Sequence, residues 1–179
     1  MISVFPAGTN DTCLWGLTPR QRLARIAARQ GIGFAEGAGG AALIANLDHV
    51  FDPAWLAFVA ERPEHVVTLG GVPVLAHSES LDERLRVMLA MKEARPLQAA
   101  PGLAILAWEE SGGIGNNELR KRERPFMGRL TPETVPALER ASYFGAYKGV
   151  TDLLTKYLWP EWALVLTRWA ARIGISPTR

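Results

Sequence analysis

The apolar positions of this chain fall into two patterns. Solid short runs at residues 2–6, 42–47 and 103–108 predict buried strands. Residues 65–69 and 72–76 are also β-rich, and Gly70-Gly71 between them predicts a hairpin. The intervening stretches have helical spacing. Thr18-Pro19 opens the first, with Thr18 as N-cap and Pro19 at the first helical position. Leu23, Ile26 and Ala27 then share a face, Arg20, Arg22, Arg25 and Arg29 supply polar positions, and Gly31 ends the helix. Asp52-Pro53 opens a second helix running to about Arg62, and Ser80 caps a third over about 81–94. After Ser111-Gly112-Gly113-Ile114-Gly115 the strand signals stop. Helices are predicted from Pro132 to about Tyr147, over about 150–158, and from Pro160 to Gly174. Strands alternating with helices, then helices alone, imply an α/β sheet with a C-terminal helical extension.

Composition narrows this picture without changing it. At 179 residues, 48% apolar and 21% charged, the chain has the size and mix of a single folded domain. One cysteine, Cys13, excludes an internal disulfide and a thiolate metal cluster. No basic segment opens the N-terminus, so no secretory signal is visible. The longest uncharged run, residues 65–78, is 14 residues and contains glycine and proline, too short and too broken to span a bilayer.

Charge is more informative. The net value is +2, but residues 1–116 hold 9 basic and 12 acidic side chains, whereas residues 117–179 hold 11 basic and 6 acidic. The second segment also carries all three tyrosines and three of the six tryptophans. A basic, aromatic end on a mildly acidic body suits a surface that meets phosphate groups or a membrane face; a solvated helical face over core aromatics is the blander reading.

Three places could carry chemistry. In an open α/β sheet, ligands bind beyond the carboxyl ends of the strands. The loop at residues 6–12, with Gly8, lies at one such end, and Asp48 directly follows the apolar run 42–47. A carboxylate there suits a divalent cation, because Mg²⁺ is usually held by one or two carboxylates plus substrate phosphates. The ordinary alternative is that Asp48 caps a turn into His49. Next, Arg120-Lys121-Arg122-Glu123-Arg124 places four cations within five residues, enough to clamp a polyanion, although a solvated stretch is the commoner meaning.

The last helix is the third. Its charges, Glu161, Arg168 and Arg172, fall on one stripe. The remainder, including Trp162, Leu166, Trp169 and Ile173, is a wider apolar face than a surface helix of a small domain needs. Burying those four side chains would contribute roughly 6–10 kcal/mol before ordering costs. The helix therefore calls for lipid, another subunit or a further part of its own protein, unless it docks on the α/β body. Tryptophan suits the headgroup boundary, so these four residues are expected to face a membrane.

Other signals are weak. Gly31-Ile32-Gly33-Phe34-Ala35-Glu36-Gly37 fails the spacing of the dinucleotide fingerprint, and residues 113–121 are not a P-loop. His49, His65 and His77 are widely spaced, though His65 and His77 would meet across the hairpin. Cys13 has no evident activating partner, and Ser78 and Ser111 lack a nucleophile elbow.

Several stretches together resemble one region of bacterial CDP-alcohol phosphatidyltransferases. They are Leu119-Arg120-Lys121-Arg122-Glu123-Arg124-Pro125-Phe126, then Tyr147-Lys148-Gly149-Val150-Thr151-Asp152-Leu153-Leu154-Thr155-Lys156, Trp159-Pro160, Thr167-Arg168 and Gly174-Ile175-Ser176-Pro177. In that family the region joins an N-terminal domain to the membrane-embedded catalytic domain. The resemblance covers about residues 117–179. Residues 1–116 are more loosely similar to the nucleotidyltransferase-like domain that precedes it. Asn46-Leu47-Asp48-His49-Val50-Phe51-Asp52-Pro53 resembles the element whose first Asp binds metal in active members, which maps to Asp48.

The resemblance implies a three-layer, Rossmann-like nucleotidyltransferase fold over residues 1–116 and juxtamembrane helices over 117–179. It implies Mg²⁺ or Mn²⁺, and CTP or a CDP-alcohol, as possible ligands. Gly8, Arg20, Arg120, Lys121, Arg122 and Lys148 would contact nucleotide, phosphate or headgroup. The sequence departs from active members in three ways. Its first loop has only Gly8, Pro19-Arg20 stands where Pro-Lys is usual, and no lysine precedes Lys92. Glu109-Glu110 are the loose candidates for a second metal carboxylate. A degenerate nucleotidyltransferase domain without cytidylyltransferase activity is therefore expected. The family's Asp-x-x-Asp-Gly-x-x-Ala-Arg run is absent, and Asp152 is not part of one. The chain is thus expected to be the N-terminal part of a phospholipid-synthesis transferase, at the cytoplasmic face of the inner membrane. Its partner would be the membrane surface or the transmembrane transferase domain; a homodimer is possible, and nucleic acid is not expected. The rivals are a working cytidylyltransferase, with Asp48 on Mg²⁺ and Arg20 on the triphosphate, and a non-catalytic interaction module.

Overall fold

The computed structural model of the chain describes residues 2–99, 101–110, 125–146 and 159–174. Solid apolar runs make the sheet. Strands β1 (Ser3–Ala7), β2 (Gly33–Phe34), β3 (Leu43–Asn46), β5 (His65–Leu69), β6 (Val72–His77) and β7 (Ala104–Ala107) form one six-stranded sheet, ordered β2-β1-β3-β6-β5-β7. β1 is parallel to β2 and β3, β5 is parallel to β7, and β6 runs antiparallel to both of its neighbours. The carboxyl ends of β1, β3, β5 and β7 therefore share one edge.

Alternation along the strands divides the core. Leu43 and Val67 point into a cluster with Leu23 and Ile26 of α1 (Pro19–Arg29) and Trp55, Leu56 and Val59 of α2 (Pro53–Ala60). Ile44, Val66 and Ala76 point the other way, onto Val87 and Met91 of α3 (Leu81–Lys92). Helices on both faces of a mostly parallel sheet make this a three-layer, Rossmann-like α/β fold, as the strand–helix alternation predicts.

The local signals act as expected. Thr18 caps α1 in a full capping box with Gln21, and Pro19 occupies the first turn. Asp52 accepts from the Ala54 amide, and Ser80 from the Glu83 amide. Gly70 and Gly71 take φ of +57° and +81°, the two positive values a tight hairpin between β5 and β6 needs. That hairpin sets His65 opposite His77.

Two expectations are corrected. Strand structure does not stop after residue 115: β8 (Met127–Arg129) pairs antiparallel with β4 (His49–Phe51), so a strand also stands between Asp48 and the Asp52 cap. Two of the body's three Trp indoles hold the approach to β8, for Trp55 Nε1 and Trp108 Nε1 both donate to the Pro125 carbonyl at 3.1 Å. Secondly, α4 runs Val135–Ala146 rather than from Pro132. The hydroxyl of Thr134 donates to the Arg129 carbonyl at 2.7 Å and accepts from the Thr131 amide, which keeps residues 131–134 in a turn. Leu14, Val50, Leu130 and Leu138 form a third, small core beneath this unit. The strand pairing of β4 with β8 thus crosses position 116, where the change in charge balance suggests a boundary.

The last helix, α5 (Trp159–Arg172), packs on α4 and on the Trp15-Gly16 turn. Arg168 Nε donates to Glu139 Oε2 at 2.7 Å, and another guanidinium nitrogen donates to the Pro136 carbonyl at 2.7 Å. Gly16 lies so close to the Ala171 carbonyl that a Cβ there would sit 2.9 Å from it. Leu164 is buried, but Trp162 is 68% exposed, Trp169 59%, and Val165, Leu166 and Ile173 are similarly open. The helix is seated by part of its polar stripe. No described helix is long and apolar enough to cross a membrane.

Candidate functional site

A cleft of about 780 Å³ opens at the carboxyl ends of β1 and β3. It brings together Gly8, Arg20 and Asp48, which are far apart in sequence, and adds Glu36, Asn46 and Lys92. Arg120, Lys121, Arg122 and Lys148 lie outside the described residues, as does the helix expected over 150–158.

Asp48 occupies the two-residue turn between β3 and β4, and its orientation is built by neighbours. The buried Asn46 side chain donates to the Pro73 carbonyl at 3.0 Å and accepts from the Asp48 amide at 3.0 Å. The Asp48 carbonyl accepts from the Leu130 amide at 2.8 Å. Asn10 Nδ2 donates to Asp48 Oδ1 at 3.2 Å and contacts the Leu130 carbonyl at 3.1 Å. Asn10 itself is fixed by an Asx turn, accepting from the Thr12 amide at 2.9 Å. One face of the carboxylate is thus tied to the protein, while the residue remains part-exposed on the cleft. That arrangement fits a divalent cation held by one carboxylate together with ligand phosphates. Among the described residues, no group of three or more His, Cys, Asp or Glu side chains converges as a metal site. Glu109 is engaged elsewhere, accepting from the Gly70 amide at 2.7 Å.

The cations occupy different parts of the rim. Arg20, in the first turn of α1, bridges to Glu36 at 2.7 Å and lies 5.1 Å from the Phe34 ring centroid. Both partners are substantially exposed, and an exposed pair is worth little, so an incoming anion can replace Glu36 on Arg20 at small cost. Lys92 stands at the end of α3, exposed. Gly8, at φ +86°, leaves open space where a side chain would project. By contrast Arg22 is structural: it donates to the Phe51 carbonyl at 2.9 Å and stacks 5.8 Å from the Phe126 ring centroid. Burial lowers its pKa, opposed by the charge of Asp52.

Beside Asp48, His49 is buried, and its Nδ1 has no hydrogen-bond partner among the described residues. Burial lowers its pKa to about 4; the charge of Asp48 works against that shift and that of Arg129 adds to it. His49 is therefore neutral near pH 7. The space next to it, lined by Arg22, Leu23 and Ile26 of α1, is about 10 Å³, no more than one water's worth.

The opposite wall of the cleft was not foreseen. Leu85, Met88 and Leu89 of α3 line it, with Phe5 of β1. Helix α3 is apolar on two sides, one buried through Val87 and Met91 and one open through Leu81, Leu85 and Leu89. The recurrence of leucine at 81, 85 and 89 beside a second apolar set is the signal that marks it. No known family model matches the chain, and no curated protein is significantly similar to it.

Proposed function

We propose that the cleft binds the phosphates of a cytidine nucleotide or CDP-alcohol. On this reading the chain is the N-terminal part of a CDP-alcohol phosphatidyltransferase-type protein of phospholipid synthesis, at the cytoplasmic membrane face. The observation that supports it most is the gathering of Gly8, Arg20 and Asp48 on one cleft at the carboxyl ends of β1 and β3. Asp48 would hold Mg²⁺ or Mn²⁺ against the phosphates, and Arg20 and Lys92 would neutralise the remaining charge. Helix α5 supports the location, because its exposed Trp162, Leu166, Trp169 and Ile173 suit a lipid boundary. The transfer itself would belong to the Asp-rich run of the family, which these 179 residues lack.

Calorimetric titration of the full chain with CTP and Mg²⁺ tests the binding. Saturable heat is expected at submillimolar nucleotide. Asp48→Ala should abolish the dependence on Mg²⁺, and Arg20→Ala with Lys92→Ala should weaken binding by about tenfold or more. No heat at millimolar nucleotide, or an unchanged isotherm for Asp48→Ala, removes the proposal.

A further inference from the structure

Helix α3 presents a line of residues of which Leu85, Met88, Leu89 and Lys92 border the cleft, while Leu81 continues the same face beyond it. Residues 81, 85, 88 or 89 and 92 succeed one another at three- and four-residue steps, so Leu81, Leu85, Leu89 and Lys92 share one face. Leu85 is 51% exposed and Leu89 47%. The line is therefore apolar for most of its length and ends in a cation. Arg20 and Asp48 lie on the same cleft. Exposed leucine rows of this kind have no role in holding the body together, because Val87 and Met91 already bury the inward side of α3.

The same wall offers no hydrogen-bonding side chain between Leu85 and Lys92 to a ligand hydroxyl: Arg86 is engaged by Glu83 at 2.7 Å, and the other residues are apolar. A small polyhydroxylated alcohol would find nothing to bind there. A chain of methylenes would find its complement, while its anionic end met Lys92 and Arg20.

We propose that the cleft takes a phosphate ester carrying a long alkyl or acyl chain, with the phosphate at Arg20 and Lys92 and the chain along Leu85 and Leu89 towards Leu81. This rests on reading the cleft as a phosphate site, and it names the class of molecule esterified to that phosphate. A monomeric lipid phosphate, rather than a second protein, fits because charge and apolar surface occur on one narrow line with the cation at its end.

Calorimetry of the full chain with ethyl, butyl, octyl and decyl phosphate, below their micellar concentrations, tests this. The titrations are made in a Leu166→Ser, Trp169→Ser background so that the exposed face of α5 does not take up the chain. Affinity should rise by roughly tenfold for every two carbons. In Leu85→Asn with Leu89→Asn, both at exposed positions, decyl phosphate should fall to the affinity of ethyl phosphate. Equal affinity for ethyl and decyl phosphate overturns the proposal, as does a chain-length dependence that survives the α3 substitutions. Dimerisation lost on Leu85→Asn with Leu89→Asn, beside a flat alkyl series, assigns the leucine row to a second copy and likewise overturns it. CTP that binds beside a flat alkyl series removes this inference alone. Decyl phosphate that binds with the expected dependence and is not displaced by CTP removes the nucleotide reading alone.

Discussion

Helix α1 turns Leu23, Ile26 and Ala27 into the sheet and leaves Arg20, Arg25 and Arg29 outside. Helix α5 does the reverse. It turns Arg168 inward onto Glu139 and leaves Trp162, Leu166, Trp169 and Ile173 outside. Both helices are amphipathic, so the pattern alone does not say which face meets the protein. Desolvation of apolar side chains seats α1. A part-buried ion pair, one carbonyl contact and Leu164 seat α5. The larger hydrophobic free energy of α5 is left uncommitted among the described residues.

The largest test of that contrast is in α1. Leu23 is buried among Val4, Leu43 and Trp55 in the main core. Leu23→Ala should cost about 2–5 kcal/mol in denaturant unfolding, through lost transfer energy and the cavity left behind. A cost below about 1 kcal/mol would mean that α1 is not held by its apolar face, and the distinction from α5 would fail.

Acid should separate the two regions next. His49 lies beneath α1, where Arg22, Leu23 and Ile26 line the same small space, and the α4–α5 contact contains no histidine. The unfolded chain binds a proton at His49 near pH 6.5, the folded chain only near pH 4. Above pH 6.5 the ring is neutral in both states and adds no pH dependence. Between pH 6.5 and 4 the unfolded state gains a proton that the folded state refuses, so stability falls, by about 3 kcal/mol in all. Urea unfolding across this range, without added divalent cations, should show that fall in the native chain and not in His49→Gln. Parallel curves for the two proteins would mean that His49 is solvated rather than buried under α1.

What could be read beforehand follows the same physics. The strands of the main sheet other than β2 are largely apolar runs, and the caps at Thr18, Asp52 and Ser80 are local hydrogen-bond chemistry; both are complete within a few residues. Strands β2, β4 and β8 have two or three residues each, too few to show a period. Met127-Gly128-Arg129 does not resemble a strand in isolation. Gly128 packs against α4, where a Cβ would lie 2.5 Å from Leu138 Cδ2. The cleft divides similarly. Asp48 and Gly8 are placed by strand ends, which the apolar runs mark; Arg20 is tied to them only through the family resemblance, because nothing in its helix start says that it faces the same cleft. Lys92 and the row Leu81, Leu85 and Leu89 were not legible, because α3 is apolar on two sides and only its docking on Ile44 and Val66 decides which side stays open. The inward turn of Arg168 depends on Glu139, 29 residues away, and no local pattern contains that.

The smallest expected effect on stability is also the sharpest test of the contrast. Trp162 and Trp169 are large side chains with most of their surface in water, and Val165 and Leu166 lie beside them. Removing them takes away no cavity-filling volume and no buried hydrogen bond, the two mechanisms behind severe losses. Trp162→Ser with Trp169→Ser should therefore change unfolding free energy by no more than about 0.5 kcal/mol. The same change deletes most of the apolar area that α5 offers outward. If that face meets a lipid boundary, flotation with anionic vesicles should weaken by at least tenfold, since each indole anchor is worth about 1.5–3 kcal/mol when fully buried. Binding should also fall with added salt, through the basic residues that accompany the helix. A stability loss of about 2 kcal/mol would show that the protein itself covers the indoles, making α5 a second α1. Unchanged stability together with unchanged flotation would leave the inverted seating of α5 intact while removing lipid as the reason for it.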